Sequence, residues 1–418
     1  RKGFDINHVW DINENVRAKT VFYWSETYRD YWRYQTDNAA SVAAGRWVYT
    51  DNLRGNNRSF ERLGAETRLE IINELLGIGG EAEVGVRYMT EEMRDQTVLA
   101  TRLTPRTGNL GKDVIDSADS VAVFVQNRFD FSDRWSVTPG VRAEYYEQQR
   151  KDLQVPQHVD TNNAEFIPGL GTTFQLNPSV QLFASIHKAF SPALNGDALD
   201  GLQDQKLEAE RSVNIELGLR GKRERLHYEM AMFRMDFDNQ IVPANSNTAF
   251  QNTNGGETLH QGMEAGISYL FDTGFSVEAN ATYVPVAEFV GDRYAADGVT
   301  ITAPDGNRVT YTPEWIANLG LGYQVGNLNT LLSVNYTDEQ YTDVMNTKAI
   351  TENTAGFFTG RVDAYTTADL SARYFVGDNL ELFGSLKNLT DERYIASLRQ
   401  GIYVGPERSL EMGVRYQF

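Results

Sequence analysis

The sequence predicts an all-β protein, an antiparallel β-barrel that crosses a lipid bilayer, because apolar and polar residues alternate along several of its segments. The last segment shows this most clearly, and its apolar face is formed by Leu410, Met412, Val414, Tyr416 and Phe418. The intervening positions include Glu411 and Arg415. Successive side chains of a strand point to opposite faces, so one face is apolar and the other is charged. Lipid accepts only the first face, and a wet interior accepts the second.

Composition and charge narrow the classes of protein that this chain can belong to. It has 418 residues, no cysteine and a formal net charge of -18. Without cysteine, neither a disulfide framework nor a thiolate metal site can form. The negative charge argues against a nucleic-acid partner, because phosphates need a basic surface. No run of about 18 apolar residues occurs, so no membrane-spanning helix is expected. The 21 Phe, 21 Tyr and 6 Trp residues suit the aromatic girdles of a membrane barrel.

The same alternation recurs at residues 134–149, 207–220, 315–323 and 367–374. An arginine at the centre of a bilayer costs about 2–4 kcal/mol, so the arginines of these segments are expected to face the interior. Carboxylates on the same faces can offset their charge. The residues that we predict to line the interior and brace the wall are Arg142, Glu144, Glu216, Arg220, Arg373 and Arg415.

Connections of two lengths alternate between the predicted strands. Short polar turns are predicted at residues 13–15, 132–133, 177–178, 221–224, 272–274, 326–327 and 377–379. Longer loops are predicted at residues 33–57, 98–116, 151–163, 191–206, 290–308, 341–360 and 391–406. This order predicts about 17 strands, with short turns on the inner side of the membrane and long loops outside. No repeat of fixed length is present, which disfavours a soluble propeller or solenoid.

Several segments carry a resemblance to a known family. Residues 137–144 read Val-Thr-Pro-Gly-Val-Arg-Ala-Glu, and residues 166–171 read Phe-Ile-Pro-Gly-Leu-Gly. Residues 206–218 end in Val-Asn-Ile-Glu-Leu-Gly, and residues 388–394 read Asn-Leu-Thr-Asp-Glu-Arg-Tyr. In their order and spacing over residues 117–418, these segments resemble the barrel of TonB-dependent outer-membrane receptors. That resemblance implies a protein of the bacterial outer membrane that imports iron–siderophore complexes and is not an enzyme.

The resemblance also implies parts and partners that lie outside the barrel. Such receptors have an N-terminal plug domain, held by interior charges, and a segment that engages the TonB–ExbB–ExbD complex. Neither is expected in this chain. Residues 1–418 are interpreted as one partial, C-terminal barrel domain with about 17 of an expected 22 strands. Further expected partners are lipid and lipopolysaccharide of the outer membrane, and the barrel assembly machinery through Phe418.

Ligand-binding residues are expected in the long loops. Residues 341–347 and 360–369 look most like those of ferric-dicitrate-type receptors. The guanidinium group fits carboxylates, so arginine is expected to dominate the binding of an anionic ferric chelate. The candidates, for which a solvated loop charge is the alternative, are Arg46, Arg54, Arg102, Arg106, Arg399 and Gln400. An aromatic run that includes Tyr31 and Tyr34 could instead stack on a catecholate siderophore. No cofactor is expected, and iron enters only as part of the transported chelate.

Other functions stay open at the level of sequence. A TonB-dependent receptor for a non-iron solute, such as cobalamin or a glycan, and a passive porin would show the same strand pattern. An enzyme is disfavoured, because the five histidines lack the spacing of a metal site. Ser185 and His187 lie on one strand face without an evident orienting carboxylate.

Overall fold

The computed structural model describes residues 1–242, 253–294, 299–354, 357–399 and 401–418, and these residues form mainly β-strands. Seventeen strands of one sheet make up the wall. They are β1 (Lys2–Asn13), β2 (Val16–Arg29), β4 (Tyr49–Leu75), β5 (Ile78–Thr101), β6 (Thr104–Ser132), β7 (Trp135–Asp152), β8 (Gln157–Asn177), β9 (Val180–Ser191), β10 (Glu210–Arg223), β11 (Leu226–Val242), β12 (Thr253–Leu270), β13 (Phe275–Val290), β16 (Trp315–Val325), β17 (Leu328–Thr337), β22 (Tyr365–Val376), β23 (Leu380–Lys387) and β26 (Ser409–Tyr416).

The remaining elements are short and lie in the connections. The short strands are β3 (Trp32–Thr36), β14 (Arg293–Tyr294), β15 (Ile301–Ala303), β18 (Gln340–Tyr341), β19 (Thr351–Thr354), β20 (Phe357–Thr359), β21 (Arg361–Val362), β24 (Ile395–Arg399) and β25 (Gly401–Val404). The helices are α1 (Asn38–Ala44) and α2 (Asn195–Ala198), and a single 3-10 turn follows at Asp200–Leu202. Within the described ranges, no helix is both long enough and apolar enough to span a membrane.

Each wall strand pairs antiparallel with the next wall strand along the chain, from β1 to β26. The predicted all-β architecture is therefore confirmed, and the strand count agrees with the prediction of about 17. In the described pairings, β1 contacts only β2 and β26 contacts only β23. The expectation that residues 1–418 are one part of a longer barrel without its plug stays a prediction.

Six of the seven predicted short turns fall at the junctions between wall strands, and the seventh, at residues 221–224, overlaps the last three residues of β10. Two of the predicted long loops are wrong. Residues 98–116 belong to a hairpin in which β5 and β6 remain paired up to Thr101 and Thr104. Residues 151–163 belong to a second hairpin, in which β7 and β8 pair up to Asp152 and Gln157. Both faces of these strand ends carry polar residues, so the alternation by which a strand is recognised in the sequence is missing, although the backbone pairing continues.

At the end of the wall where the connections are short, two-residue turns join most of the paired strands, and the turn between β4 and β5 shows the backbone that they require. Between β4 and β5, Leu76 and Gly77 have φ values of 56° and 77°. A two-residue turn with positive φ at both positions matches the right-handed twist of the paired strands. Glycine adopts this backbone readily, whereas a leucine does so with strain.

The two faces of the sheet differ in chemistry. On β5 and β6 the exposed face carries Val84, Val86 and Tyr88, and Val121 and Val123 beside them. Along β7 the same apolar face runs from Trp135 to Tyr145, which is roughly 34 Å of strand at about 3.4 Å per residue. At a tilt of about 45°, this length matches the apolar band of about 25 Å in a membrane barrel. The opposite, polar face contains the buried side chains of Asp95, Asp116, Glu144 and Glu165, and it lines the interior.

Strand length varies strongly around the wall. β4, β5 and β6 contain 27, 24 and 29 residues, whereas β23 and β26 contain 8 each. About 10 residues suffice to cross the bilayer, so β4 to β6 continue far beyond it as a tall wall. Elsewhere in the sheet, the folded loops that contain β14, β15, β18 to β21, β24 and β25 connect shorter wall strands.

Candidate ligand-binding site

An open cavity of about 680 Å³ lies among the loops at the end of the wall opposite the short turns. We call it the outer cavity. Its lining residues are Tyr31, Arg33, Tyr34, Gln35, Thr36, Asn38, Trp47, Tyr49, Arg54, Phe357 and Tyr403. Six of these side chains are aromatic and two are arginines, and none of these eleven is a carboxylate. Such a lining can stack on a planar group and attract negative charge.

The two arginines of the outer cavity are direct neighbours across a strand pair. Arg33 of β3 is the register partner of Arg54 of β4. Like charges directly opposite on paired strands repel each other. Arg54 donates a hydrogen bond to Asn56 Oδ1 at 3.2 Å. Within the described part of the chain, neither arginine forms an ion pair. Two arginines at partner positions of a strand pair, in a cavity without a carboxylate, form an arrangement that an anion would stabilise.

Local packing holds the aromatic side of this cavity in place. The ring of Trp32 covers Gly55, where an added Cβ would lie 2.8 Å from the ring. Asp37 caps α1 by accepting a hydrogen bond from the Ala40 backbone at 2.9 Å, as is favoured at a helix N-terminus. The Asp37 backbone N donates to Val48 O at 2.8 Å. The pairing of Thr36 with Tyr49 then places Tyr49 beside β3.

A second cavity, of about 910 Å³, lies along the same polar face of β4 and is called the inner cavity. Its charged residues are seven acids and five bases, and most of them form ion pairs within the wall. Asp95 contacts Arg58 at 3.0 Å and Lys112 at 2.9 Å. Asp116 accepts two hydrogen bonds from Arg150, at 2.7 and 2.8 Å. The inner cavity therefore presents arginines whose charge is already offset.

Arginines form a ladder along the polar face of β4, and their pairing changes with depth. Arg54, Arg58 and Arg62 are each separated by four residues, so all three share one face of the strand. Arg58 pairs with Asp95 and Arg62 pairs with Glu91. Among the residues that the structure describes, the side-chain partner of Arg54 is the amide of Asn56.

Deeper in the interior, charges pair across neighbouring strands. Arg87 of β5 donates to Glu144 Oε1 of β7 at 2.8 Å, across the small side chain of Ala122 on the strand between them. Arg142 donates to Glu144 Oε2 and also lies over the ring of Phe124. Two cations thus offset one buried carboxylate. Removing one partner of a buried ion pair typically destabilises a protein by about 3–5 kcal/mol, because the other charge is left uncompensated.

The six residues predicted to line the interior all lie on the polar face. Besides Arg142 and Glu144, Glu216 and Arg220 share that face of β10, and Arg220 donates to Gln181 Oε1 at 2.9 Å. Arg373 and Arg415 both contact Glu381, at 3.7 and 2.8 Å. These contacts join strands of the wall. Contact with a plug domain stays a prediction.

The predicted ligand-binding residues are scattered. Arg54 lines the outer cavity. Arg46 follows α1, and its backbone N bonds to Ser41 O. Arg102 and Arg106 form exposed ion pairs with Asp51 and Asp30, at 3.7 and 3.0 Å. Arg399 ends β24.

The remaining candidate, Gln400, lies outside the described residues. The outer cavity is also lined by residues that the sequence analysis did not propose as ligand-binding, and these include Arg33, Trp47, Phe357 and Tyr403. Phe357 and Tyr403 are more than 300 residues from Arg33, so only folding brings them together. Their position in predicted long loops was the available signal. Across the described ranges, no group of three or more His, Asp or Glu side chains is arranged to hold a metal ion.

Comparison with known proteins assigns the wall to a family of sequences. The family described as "TonB dependent receptor-like, beta-barrel" matches residues 1–389. The metal-pseudopaline receptor CntO of Pseudomonas aeruginosa (strain UCBPP-PA14) is 26% identical, over 97% of this chain and 58% of that protein. The ferrienterobactin receptor of Escherichia coli (strain K12) is 22% identical, over 83% of this chain and 49% of that protein.

Solved structures show the same fold. The ferric citrate transporter FecA in its unliganded form superposes with a TM-score of 0.82 at 22% identity, covering 99% of this chain and 61% of that chain. The siderophore receptor PiuA from Acinetobacter baumannii superposes with a TM-score of 0.80 at 18% identity, covering 99% and 63%. The chain therefore spans about half to three fifths of these relatives.

Proposed function

Because this chain belongs to the TonB-dependent receptor β-barrel family, we propose that it forms the wall of a transporter that captures an anionic ferric siderophore. Proteins of this family reside in the bacterial outer membrane and are transporters, not enzymes. In this proposal the chelate binds first in the outer cavity, and energy for import comes from the TonB–ExbB–ExbD complex.

One observation carries the proposal: Arg33 and Arg54 are adjacent in the outer cavity without a carboxylate beside them. Iron chelates with carboxylate or catecholate groups are anionic, and charge-assisted hydrogen bonds from guanidinium groups are strong and directional. A passive porin has no need for such a site. A neutral solute such as cobalamin or a glycan would gain little from two uncompensated cations.

Two ferric chelates are the leading candidates. Ferric citrate is favoured by the likeness of residues 341–347 and 360–369 to ferric-dicitrate-type receptors. A ferric catecholate is favoured by the six aromatic side chains of the outer cavity, because aromatic rings and a cation stack well on a planar, electron-rich ligand.

Uptake in iron-starved cells tests the proposal, using the protein in its own outer membrane. The probes are radioactive iron bound to citrate, to a catecholate or to a hydroxamate, and labelled cobalamin. We expect uptake of one anionic iron chelate, its loss when an uncoupler removes the proton-motive force, and a large decrease in the Arg33→Ala, Arg54→Ala double variant.

A matched control replaces two arginines at the opposite end of the barrel, in Arg134→Ala with Arg223→Ala, and should retain uptake. Entry of all four probes at similar rates, insensitive to the uncoupler, would instead indicate a porin. Selective uptake of cobalamin would show that the family assignment holds and that the proposed substrate is wrong.

A further inference from the structure

Three loops above the short strands are tied together by hydrogen bonds between them. We call the set formed by residues 305–315, 341–347 and 395–404, apart from residue 400, the loop body. Arg308 backbone N donates to Asn346 Oδ1 at 2.7 Å, and Asn346 Nδ2 donates back to Arg308 O at 2.8 Å. Asn307 Nδ2 donates to Val344 O at 2.9 Å. The first two loops therefore share a reciprocal amide contact.

Tyr311 joins the third loop to the other two. Its backbone N donates to Tyr341 O at 2.8 Å. Its hydroxyl donates to Leu398 O at 2.5 Å and accepts from Leu398 N at 3.2 Å. One phenol oxygen thus satisfies both backbone groups of Leu398, a residue 87 positions later in the chain. Removing this hydroxyl leaves a backbone donor and an acceptor without their partner.

The backbone of Tyr311 points to a specific role for this contact. Its φ is 55°, in the left-handed region that a bulky residue rarely adopts. Asn346, the other residue at which the loops meet, has a φ of 53°. Such conformations persist only where surrounding contacts determine them, and they are concentrated at functional sites.

The third loop carries one side of the outer cavity. Leu398 lies in β24, where Ser397 is the register partner of Tyr403 in β25. β20, which contains Phe357, packs beside β24 and β25. Both Tyr403 and Phe357 line the outer cavity, as Arg33 and Arg54 do. Holding Leu398 in place therefore holds Tyr403 and Phe357 at a set distance from the two arginines of the cavity.

We infer that Tyr311 is a positioning residue for ligand capture: its hydroxyl fixes the β24–β25 hairpin, and with it Tyr403 and Phe357, against the outer cavity. Tyr311 itself does not line that cavity. The role of Tyr311 in transport rests on the proposed function. Its role in holding the β24–β25 hairpin in place does not depend on that function.

Distance measurements between spin labels test the positioning without any ligand. The chain lacks cysteine, so Val42→Cys on α1 and Ile402→Cys on β25 provide two exposed labelling sites beside the cavity. In the complete protein in lipid, we expect a narrow distance distribution that becomes clearly broader with Tyr311→Phe. The control is Tyr294→Phe, because among the described residues that exposed hydroxyl contacts Asp292 of its own loop, at 3.4 Å, and none of the other two loops. Identical distributions for Tyr311→Phe and the parent protein would overturn the inference.

Ligand affinity supplies the second readout. With the ferric chelate that the uptake experiment selects, we expect Tyr311→Phe to raise Kd about 3-fold to 10-fold. In the Tyr403→Ala background, the same change should raise Kd by less than it does in the parent protein, because one of the two side chains that Tyr311 positions is already gone. If Tyr311→Phe raises Kd by the same factor with and without the Tyr403 side chain, Tyr311 does not act through Tyr403. If the parent protein binds no ferric chelate, the proposed function is wrong. The spin-label distances then decide by themselves whether Tyr311 positions the hairpin.

Discussion

The two ends of the arginine ladder on β4 use the same residue type for different purposes. At the deeper end, Arg58 and Arg62 pair with Asp95 and Glu91 and line the inner cavity. At the outer end, Arg54 faces Arg33 and lines a cavity without a carboxylate. A paired arginine supports the wall because its charge is offset. An uncompensated arginine retains its capacity to bind an anion from outside.

The difference shows that interior charge alone does not identify a ligand site in this protein. The inner cavity is the larger of the two, yet its acids outnumber its bases. An anionic chelate would have to compete with carboxylates that already hold the arginines. The outer cavity is smaller, but its charge and its aromatic side chains match one class of ligand.

The largest expected effect is the loss of an inner pair. Asp95→Ala removes the partner of both Arg58 and Lys112, and the Asp95 side chain is only 9% exposed. Leaving two cations uncompensated should lower the free energy of unfolding by about 2 kcal/mol, after a discount because both cations are partly exposed. Urea unfolding of the detergent-solubilised protein measures this. An unchanged midpoint would show that the inner pairs do not support the wall.

The next effect separates the two ends of the ladder directly. Arg54→Gln should weaken binding of the anionic ferric chelate about 10-fold, equivalent to about 1.4 kcal/mol, and leave the unfolding midpoint unchanged. Arg58→Gln should do the reverse, lowering the midpoint with little effect on Kd. Titration calorimetry and urea unfolding of both variants provide the comparison. Equal losses of affinity would place the two arginines in one site.

A smaller effect is expected for the exposed arginines at the tip of the β5–β6 hairpin. Arg102 and Arg106 already contact Asp51 and Asp30, and exposed ion pairs contribute less than about 1 kcal/mol. The sequence predicts that the Arg102→Ala, Arg106→Ala double variant weakens chelate binding with normal assembly. The structure leads us to expect less than a 3-fold change in Kd. A loss as large as that of Arg54→Gln would restore these residues to the site.

The smallest effect concerns the loop that carries α2, which borders the inner cavity. Asn195 fastens this loop to the wall by donating to Ser117 O and Gln149 O at 2.8 and 3.0 Å. Burial, and then the neighbouring Asp200, raise the pKa of the Asp197 carboxyl, while Arg150 acts in the opposite direction.

Because that pKa is raised, the docked loop favours protonated Asp197. The stability that the protonated carboxyl adds to the docked loop is fully present below the ordinary pKa of an aspartate. It is lost as the pH rises through the raised pKa. Asp197→Asn should therefore slow hydrogen exchange of residues 195–207 at pH 7 by a small factor, with the benefit decreasing toward pH 4 after correction for intrinsic rates. Faster exchange in the variant at pH 7 would contradict this sign.

Local pattern predicted the barrel well where lipid imposes it. In the final strand, alternation alone identified the face that carries Leu410 and Met412 and the face that carries Glu411 and Arg415. It failed above the bilayer, where residues 98–116 and 151–163 are paired strands without an apolar face. There, water accepts either face, so no alternation is needed to keep the strand.

The sequence by itself determined the all-β class, the approximate number of strands and the polar face with Arg142 and Glu144. Those features follow from a period of two along a single strand. Only the tertiary structure decided which arginines lack a carboxylate and which aromatics face them. Arg33, Arg54, Phe357 and Tyr403 meet because distant loops fold over one end of the barrel, and no local period encodes that contact.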